Sequence, residues 1–212
     1  MLANQRITAR TFQDAFIDSY SSTRDVFTQE EWRQIWLLHW NDIMLPSETE
    51  RVRLPKQREM RDSVLAKTAA RLGLRYIYHE MLRLDAIFSR GENWFPIEAA
   101  IEHENDCKGF ESEVIKLLSV RCPLKVGITY LYSRDGQDTG SMKQIEGMIA
   151  AKSRTILDVV AEIDKTEYLF LVGVETSDKP KEISQWYSLD FPASSGPNGR
   201  TFQAVTAATA PS

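Results

Sequence analysis

The sequence predicts an α/β fold, with a central mixed β-sheet flanked by helices and an N-terminal helical extension. Three observations carry this. Short runs rich in β-branched and aromatic residues alternate with segments of helical periodicity. The order strand, helix, strand after Leu124 calls for a parallel crossover. The 212 residues, 42% of them hydrophobic, suffice for one sizeable core. We read residues 1–55 as the helical extension, 56–191 as the α/β core and 192–212 as a disordered tail.

Residues 11–21 read as a short helix. Thr28-Gln29-Glu30-Glu31 forms a capping box, and the helix it opens carries Trp32, Ile35, Trp36 and Trp40 at helical spacing, as core packing. Pro46 and Pro55 bracket a polar connection. Residues 56–72 read as helix, with Met60, Val64, Leu65 and Leu72 on one side and Gly73 as its stop. Arg75 to Phe88 is ambiguous at its start and reads as strand from about Arg83. Ser89 to Asn93, with Gly91, suits a hairpin connection. The next strand runs from about Phe95 to Glu104. Phe110, Val114, Leu117 and Leu118 give an amphipathic helix, and Leu124 to Tyr132 a buried strand. Residues 141–163 read as a long helix with Ile145, Met148, Ile149, Ile156, Val159, Val160 and Ile163 facing the core. Tyr168 to Val174 and Ile183 to Phe191 are further strands. Pro192 to Ser212 has almost no large apolar groups and should be disordered.

The strand Ile97-Glu98-Ala99-Ala100-Ile101-Glu102-His103-Glu104 carries the chemistry. Alternation puts Glu98, Ala100, Glu102 and Glu104 on one face and Ile97, Ala99, Ile101 and His103 on the other. Glu102 and Glu104 then stand roughly 7 Å apart, with Asp85 on the preceding strand as neighbour. Crowded carboxylates repel and raise each other's pKa unless a cation sits among them. Hard oxygen ligands suit Mg²⁺ or Mn²⁺. The alternative is a solvent-exposed acidic face paired with the Arg-rich helix. Register decides: a turn near Asn93–Trp94 puts Asp85 across from Glu102, whereas a turn near Gly91 faces it to Ile97 and makes Glu98 the rival ligand.

Helix, strand with Asp85, hairpin, strand with Glu102-His103-Glu104, helix, strand: this order resembles the PD-(D/E)XK nuclease superfamily, the restriction endonuclease-like fold. The resemblance implies a divalent-metal-dependent nuclease, with Asp85 and Glu102 in the two acidic roles. Glu104 stands in place of the motif Lys, as in some restriction endonucleases. Lys108 or Lys116 could instead reach back to the site, with Lys116 the preferred catalytic lysine. Glu80, expected in a helix before the Asp strand, is a further candidate ligand. The resemblance implies a nucleic-acid partner, DNA ahead of RNA, and a possible homodimer. Its alternative is a catalytically inactive module on the same fold, binding nucleic acid or a protein partner.

Other residues have ordinary expectations. Glu111 and Glu113 lie in the first turn of a helix, where acids offset the dipole. His103 should be packed, pointing away from the acids, and Lys125 should be exposed. Two cysteines, Cys107 and Cys122, are too few for a disulfide scaffold and lack zinc-site spacing. A net charge of −4 argues against strong indiscriminate nucleic-acid binding, although residues 51–75 are locally basic. The N-terminus lacks the apolar run of a signal peptide, and no stretch could span a bilayer, so a cytoplasmic protein with no membrane partner is expected.

Overall fold

Three layers make up the structure, a computed structural model that describes residues 6–24, 64–81, 84–91, 95–104, 107–133, 139–157, 165–176 and 179–205. The middle layer is a seven-stranded mixed sheet in sequential order: β1 (Arg75–Met81), β2 (Leu84–Ser89), β3 (Ile97–Glu104), β4 (Leu124–Ser133), β5 (Glu167–Thr176), β6 (Lys179–Pro192) and β7 (Gln203–Val205). Four helices among the described residues flank it: α1 (Ala9–Arg24), α2 (Val64–Arg71), α3 (Phe110–Ser119) and α4 (Thr139–Leu157).

β3, β4 and β5 pair in parallel; the other neighbours are antiparallel. The two parallel steps need crossovers, which α3 and α4 supply. Crossovers of one hand from a sheet progressing in one direction land on the same face. Accordingly Phe110, Val114, Leu117 and Leu118 of α3 share a core with Met142, Ile145 and Ile149 of α4. The opposite face is covered by Phe12, Phe16 and Ile17 of α1 and by Val64, Leu65 and Ala69 of α2. α1 is therefore one wall of the main core, not an appended extension. Gly73, at φ +67°, ends α2 as expected, with Leu74 N–H returning to Ala69 C=O at 2.8 Å and Gly73 N–H to Ala70 C=O at 3.1 Å. The capping box, the Trp stripe and most of the basic 51–75 segment lie outside the described residues.

Both faces of β3 to β5 are covered, so their strands are buried on each side. This corrects two expectations. Lys125 on β4 is fully buried, and its Nζ donates to the Tyr168 hydroxyl at 2.8 Å. The segment after Pro192 is not a loose tail through Val205. It forms a turn and then β7, which pairs with β6, while Phe202 N–H donates to Glu146 of α4 at 2.7 Å.

Gly127 sits beside Glu102 in the β3–β4 register. A Cβ there would lie 2.7 Å from Phe170 and 2.8 Å from Phe110 ring atoms. The bare backbone is what lets α3 lie close to the sheet at this point. We expect Gly127→Ala to cost about 1–3 kcal/mol through overpacking, seen as a lower urea midpoint. An unchanged midpoint would show that α3 is not seated this tightly.

Candidate metal centre

The β2–β3 register pairs Ala86 with Ile101 and Ile87 with Ala100. It continues to place Asp85 beside Glu102, the outcome expected for a turn near Asn93–Trp94. A bulge after Phe88 absorbs the mismatch at the hairpin end. The His103 backbone N–H donates to Asp85 Oδ2 at 2.8 Å, which fixes the carboxylate at the strand edge. The His103 ring turns to the opposite face, as alternation requires, and its Nε2 bonds the Tyr130 hydroxyl at 2.8 Å.

Glu102 points from β3 into the layer beneath α3. It has no solvent exposure, and as an ionised carboxylate neither of its oxygens would accept a hydrogen bond from a neutral donor. A buried ionised carboxylate without such partners is costly. α3 brings two groups to it. Glu113 lies in the helix's first turn and Lys116 in the next. Asp85, Glu102 and Glu113 each offer an oxygen within 4.8 Å of the others. Lys116 Nζ bonds Glu113 Oε2 and lies 3.5 Å from Glu102 Oε2. Ser112 Oγ donates to Glu113 Oε1 at 3.1 Å, holding its other oxygen. The Lys116 side chain is 37% exposed against none for Glu102, so solvent approaches from the lysine side.

The electrostatics follow this geometry. Burial raises the Glu102 pKa most; a hydrogen bond shared with Glu113 and the charges of Asp85 and Glu113 push it further, to about 10. Burial likewise raises Asp85, against the opposing His103 N–H. For Glu113, burial works upward but is outweighed by Glu102 and Lys116, and its pKa falls. For Lys116, burial works downward but is outweighed by Glu113 and Glu102, and its pKa rises. Without a cation, then, Glu102 holds a proton at neutral pH while Lys116 stays charged.

The sequence-predicted residues divide. Asp85, Glu102 and Lys116 converge. Glu104 does not join the carboxylate group; its Oε2 packs 2.7 Å from the place a Gly109 Cβ would take, just before α3. Glu80 lies in strand β1 rather than a helix, and its side chain is outside the described residues. Glu98 is taken by Arg90 in an ion pair at 2.9 Å. The residue missed is Glu113. An acid three after Phe110 and four before Leu117 sits within the apolar stripe of α3, and that placement is a signal readable from spacing.

No family model, curated protein or solved structure matches the chain.

Proposed function

We propose that the chain is a divalent-metal-dependent phosphodiesterase acting on nucleic acid, a nuclease of the PD-(D/E)XK type. One observation carries the reading: Glu102, fully buried, is flanked by Asp85 and Glu113 and faced by Lys116. Two carboxyl groups crowded around a buried third, held together by a proton when no cation is present, fit a cation that would replace that proton. An all-oxygen donor set fits Mg²⁺ or Mn²⁺ better than zinc. The run α2, three antiparallel strands, α3 and parallel β4 supports the restriction endonuclease-like core expected from the resemblance.

Asp85, Glu102 and Glu113 would hold the ion. Such an ion polarises a phosphoryl oxygen and lowers the pKa of a bound water. The protein's own groups do the rest. Glu113 keeps Lys116 protonated and oriented. The ammonium, as the accessible member, offers donors to a phosphate oxygen and offsets charge that builds on it. Because Lys116 remains charged, it stabilises rather than abstracts a proton. Lys116 also answers the absence of a lysine at position 104, which weakens the inactive-module alternative. DNA is the preferred substrate, and a symmetric dimer the arrangement for double-strand cleavage.

The test is Mn²⁺-dependent nicking of supercoiled DNA, with RNA alongside. Asp85→Ala and Glu113→Gln should each reduce the rate at least ~10²-fold, since several kcal/mol of charge stabilisation depend on the ion. Glu104→Gln should fall by less than ~10-fold, because Glu104 lies outside the group of Asp85, Glu102 and Glu113 that would hold the ion. Wild-type rates in the Glu113 variant, or a dead Glu104 variant, would contradict the assignment.

A further inference from the structure

The face of the sheet opposite the acidic cluster carries a hydrogen-bonded pair that reaches Asp85 through the backbone of β3. We propose that His103 and Tyr130 are positioning residues for Asp85: Tyr130 holds the His103 ring, and the His103 N–H thereby keeps the Asp85 carboxylate in place. The inference rests on the metal reading above and names the residues that fix one of its ligands from behind the sheet.

The paired stretch of β2 and β3 ends at Ala86 and Ile101. Beyond it the His103 N–H donates to Asp85 Oδ2 at 2.8 Å rather than to a β2 carbonyl. The aim of that N–H is therefore set from the other side. There His103 is in register with Ile128 of β4, and its ring Nε2 bonds the Tyr130 hydroxyl at 2.8 Å. The two rings also meet edge to face, with centroids 5.4 Å apart. Both residues are buried, so the bond is made without competition from water. Tyr130 is itself firmly seated. Its ring lies over Gly173 of β5, where a Cβ would stand 2.9 Å from Tyr130 Cδ1, and only bare backbone allows that approach. Trp186 packs edge to face on the same ring, with centroids 5.9 Å apart. A continuous run of contacts thus leads from β5 through Tyr130 and the His103 ring to the N–H that binds Asp85. Locking a side chain on one face of a strand fixes the rotation of that residue, and with it the direction of its N–H. Groups that orient a metal ligand in this way typically account for ~10–100-fold in metal affinity.

The experiment uses the full chain and two readouts: Mn²⁺ affinity by calorimetry, and the residue-103 amide proton by NMR with chelator present. Tyr130→Phe keeps the ring over Gly173 and removes only the hydroxyl. It should weaken Mn²⁺ binding ~10-fold and move the His103 amide proton upfield as its bond to the carboxylate slackens. His103→Leu should weaken Mn²⁺ binding by ~10²-fold. His103→Gln, whose side-chain amide spans the reach of the imidazole Nε2, should bind Mn²⁺ close to wild type. Ile17→Val loosens the core on the same face without touching the pair. It should lower the urea midpoint and leave both readouts unchanged, which separates positioning from a general loss of stability. Should His103→Leu fail to fold, Tyr130→Phe and His103→Gln decide the question. Wild-type affinity and amide shift in Tyr130→Phe would overturn this inference and leave the metal reading standing. So would equal losses in His103→Gln and Tyr130→Phe, or a loss of affinity in Ile17→Val as large as in Tyr130→Phe. No Mn²⁺ bound by wild type would overturn the metal reading, and the positioning role with it.

Discussion

Glu102→Gln is expected to abolish tight Mn²⁺ binding and to leave the metal-free protein more stable than wild type at pH 8. The two effects have one cause. Glu102 is a carboxyl group folded into a place without solvent, against the Glu113 and Asp85 carboxylates. Its side chain is retained in the neutral form there, at about 10, whereas the unfolded chain ionises it near the ordinary 4.5. Holding a proton at pH 8 that the unfolded state releases costs the native state stability. Glutamine has nearly the shape of the protonated acid and carries no such cost. The gain should be on the order of 2–4 kcal/mol, given ~1.4 kcal/mol per pH unit of offset and some relaxation of the site. On the proposed function, activity should fall at least ~10³-fold, because Glu102 would be the central ligand. Urea denaturation at pH 8 with chelator present measures the first effect, and calorimetry with Mn²⁺ the second. A variant less stable than wild type, with Mn²⁺ affinity intact, would contradict both.

Raising the pH from 6 to 8 should weaken the metal-free wild type and strengthen its hold on Mn²⁺. For Glu102 the folded-state pKa lies above the unfolded one. Below about 4.5 both states are protonated and the group is neutral to stability. Between there and about 10 only the native state keeps the proton, so stability falls as pH rises, by up to ~1.4 kcal/mol per unit. Asp85, also raised, adds a loss that begins lower in the acid range. Glu113 works the other way: its lowered pKa contributes stability at neutral pH that is lost only as acid protonates it. Lys116, raised, holds its contribution through neutral pH and loses it in strong alkali. Over pH 6 to 8 Glu102 decides the slope. A cation entering the site displaces that proton, so affinity should rise roughly tenfold per pH unit when one proton leaves per ion. Glu102→Gln should flatten both slopes. Stability that rises from pH 6 to 8 in chelator would show that Glu102 is ionised in the native state.

Much of this centre could be read along the chain, and what could not has physical reasons. The alternation of β3 placed Glu102 away from His103, and both faces came out as expected. Asp85 was found because its strand precedes a hairpin, though register, a tertiary property, chose between it and Glu98. Glu104 shares the face of Glu102 but lies one repeat further, beside Gly109, and period two alone does not say where along the strand α3 will cross. The helix dipole accounts for Glu113 in the first turn of α3; its position between Phe110 and Leu117 is the signal against that. Lysine is usually exposed, yet a strand covered on both faces hides every other residue too, Lys125 among them. Its partner Tyr168 is 43 residues away. Residues up to Val205 lack a large apolar run, and β7 exists through backbone pairing with β6 and a bond from Phe202 to α4, neither of which composition records.

The most direct measurement is a crystal of the wild type soaked in Mn²⁺ at pH 8 and recorded for anomalous scattering. The account predicts one peak among the Asp85, Glu102 and Glu113 oxygens, with Lys116 still bonded to Glu113. A site without a peak, or a peak held by Glu104 and away from Glu102, would contradict it.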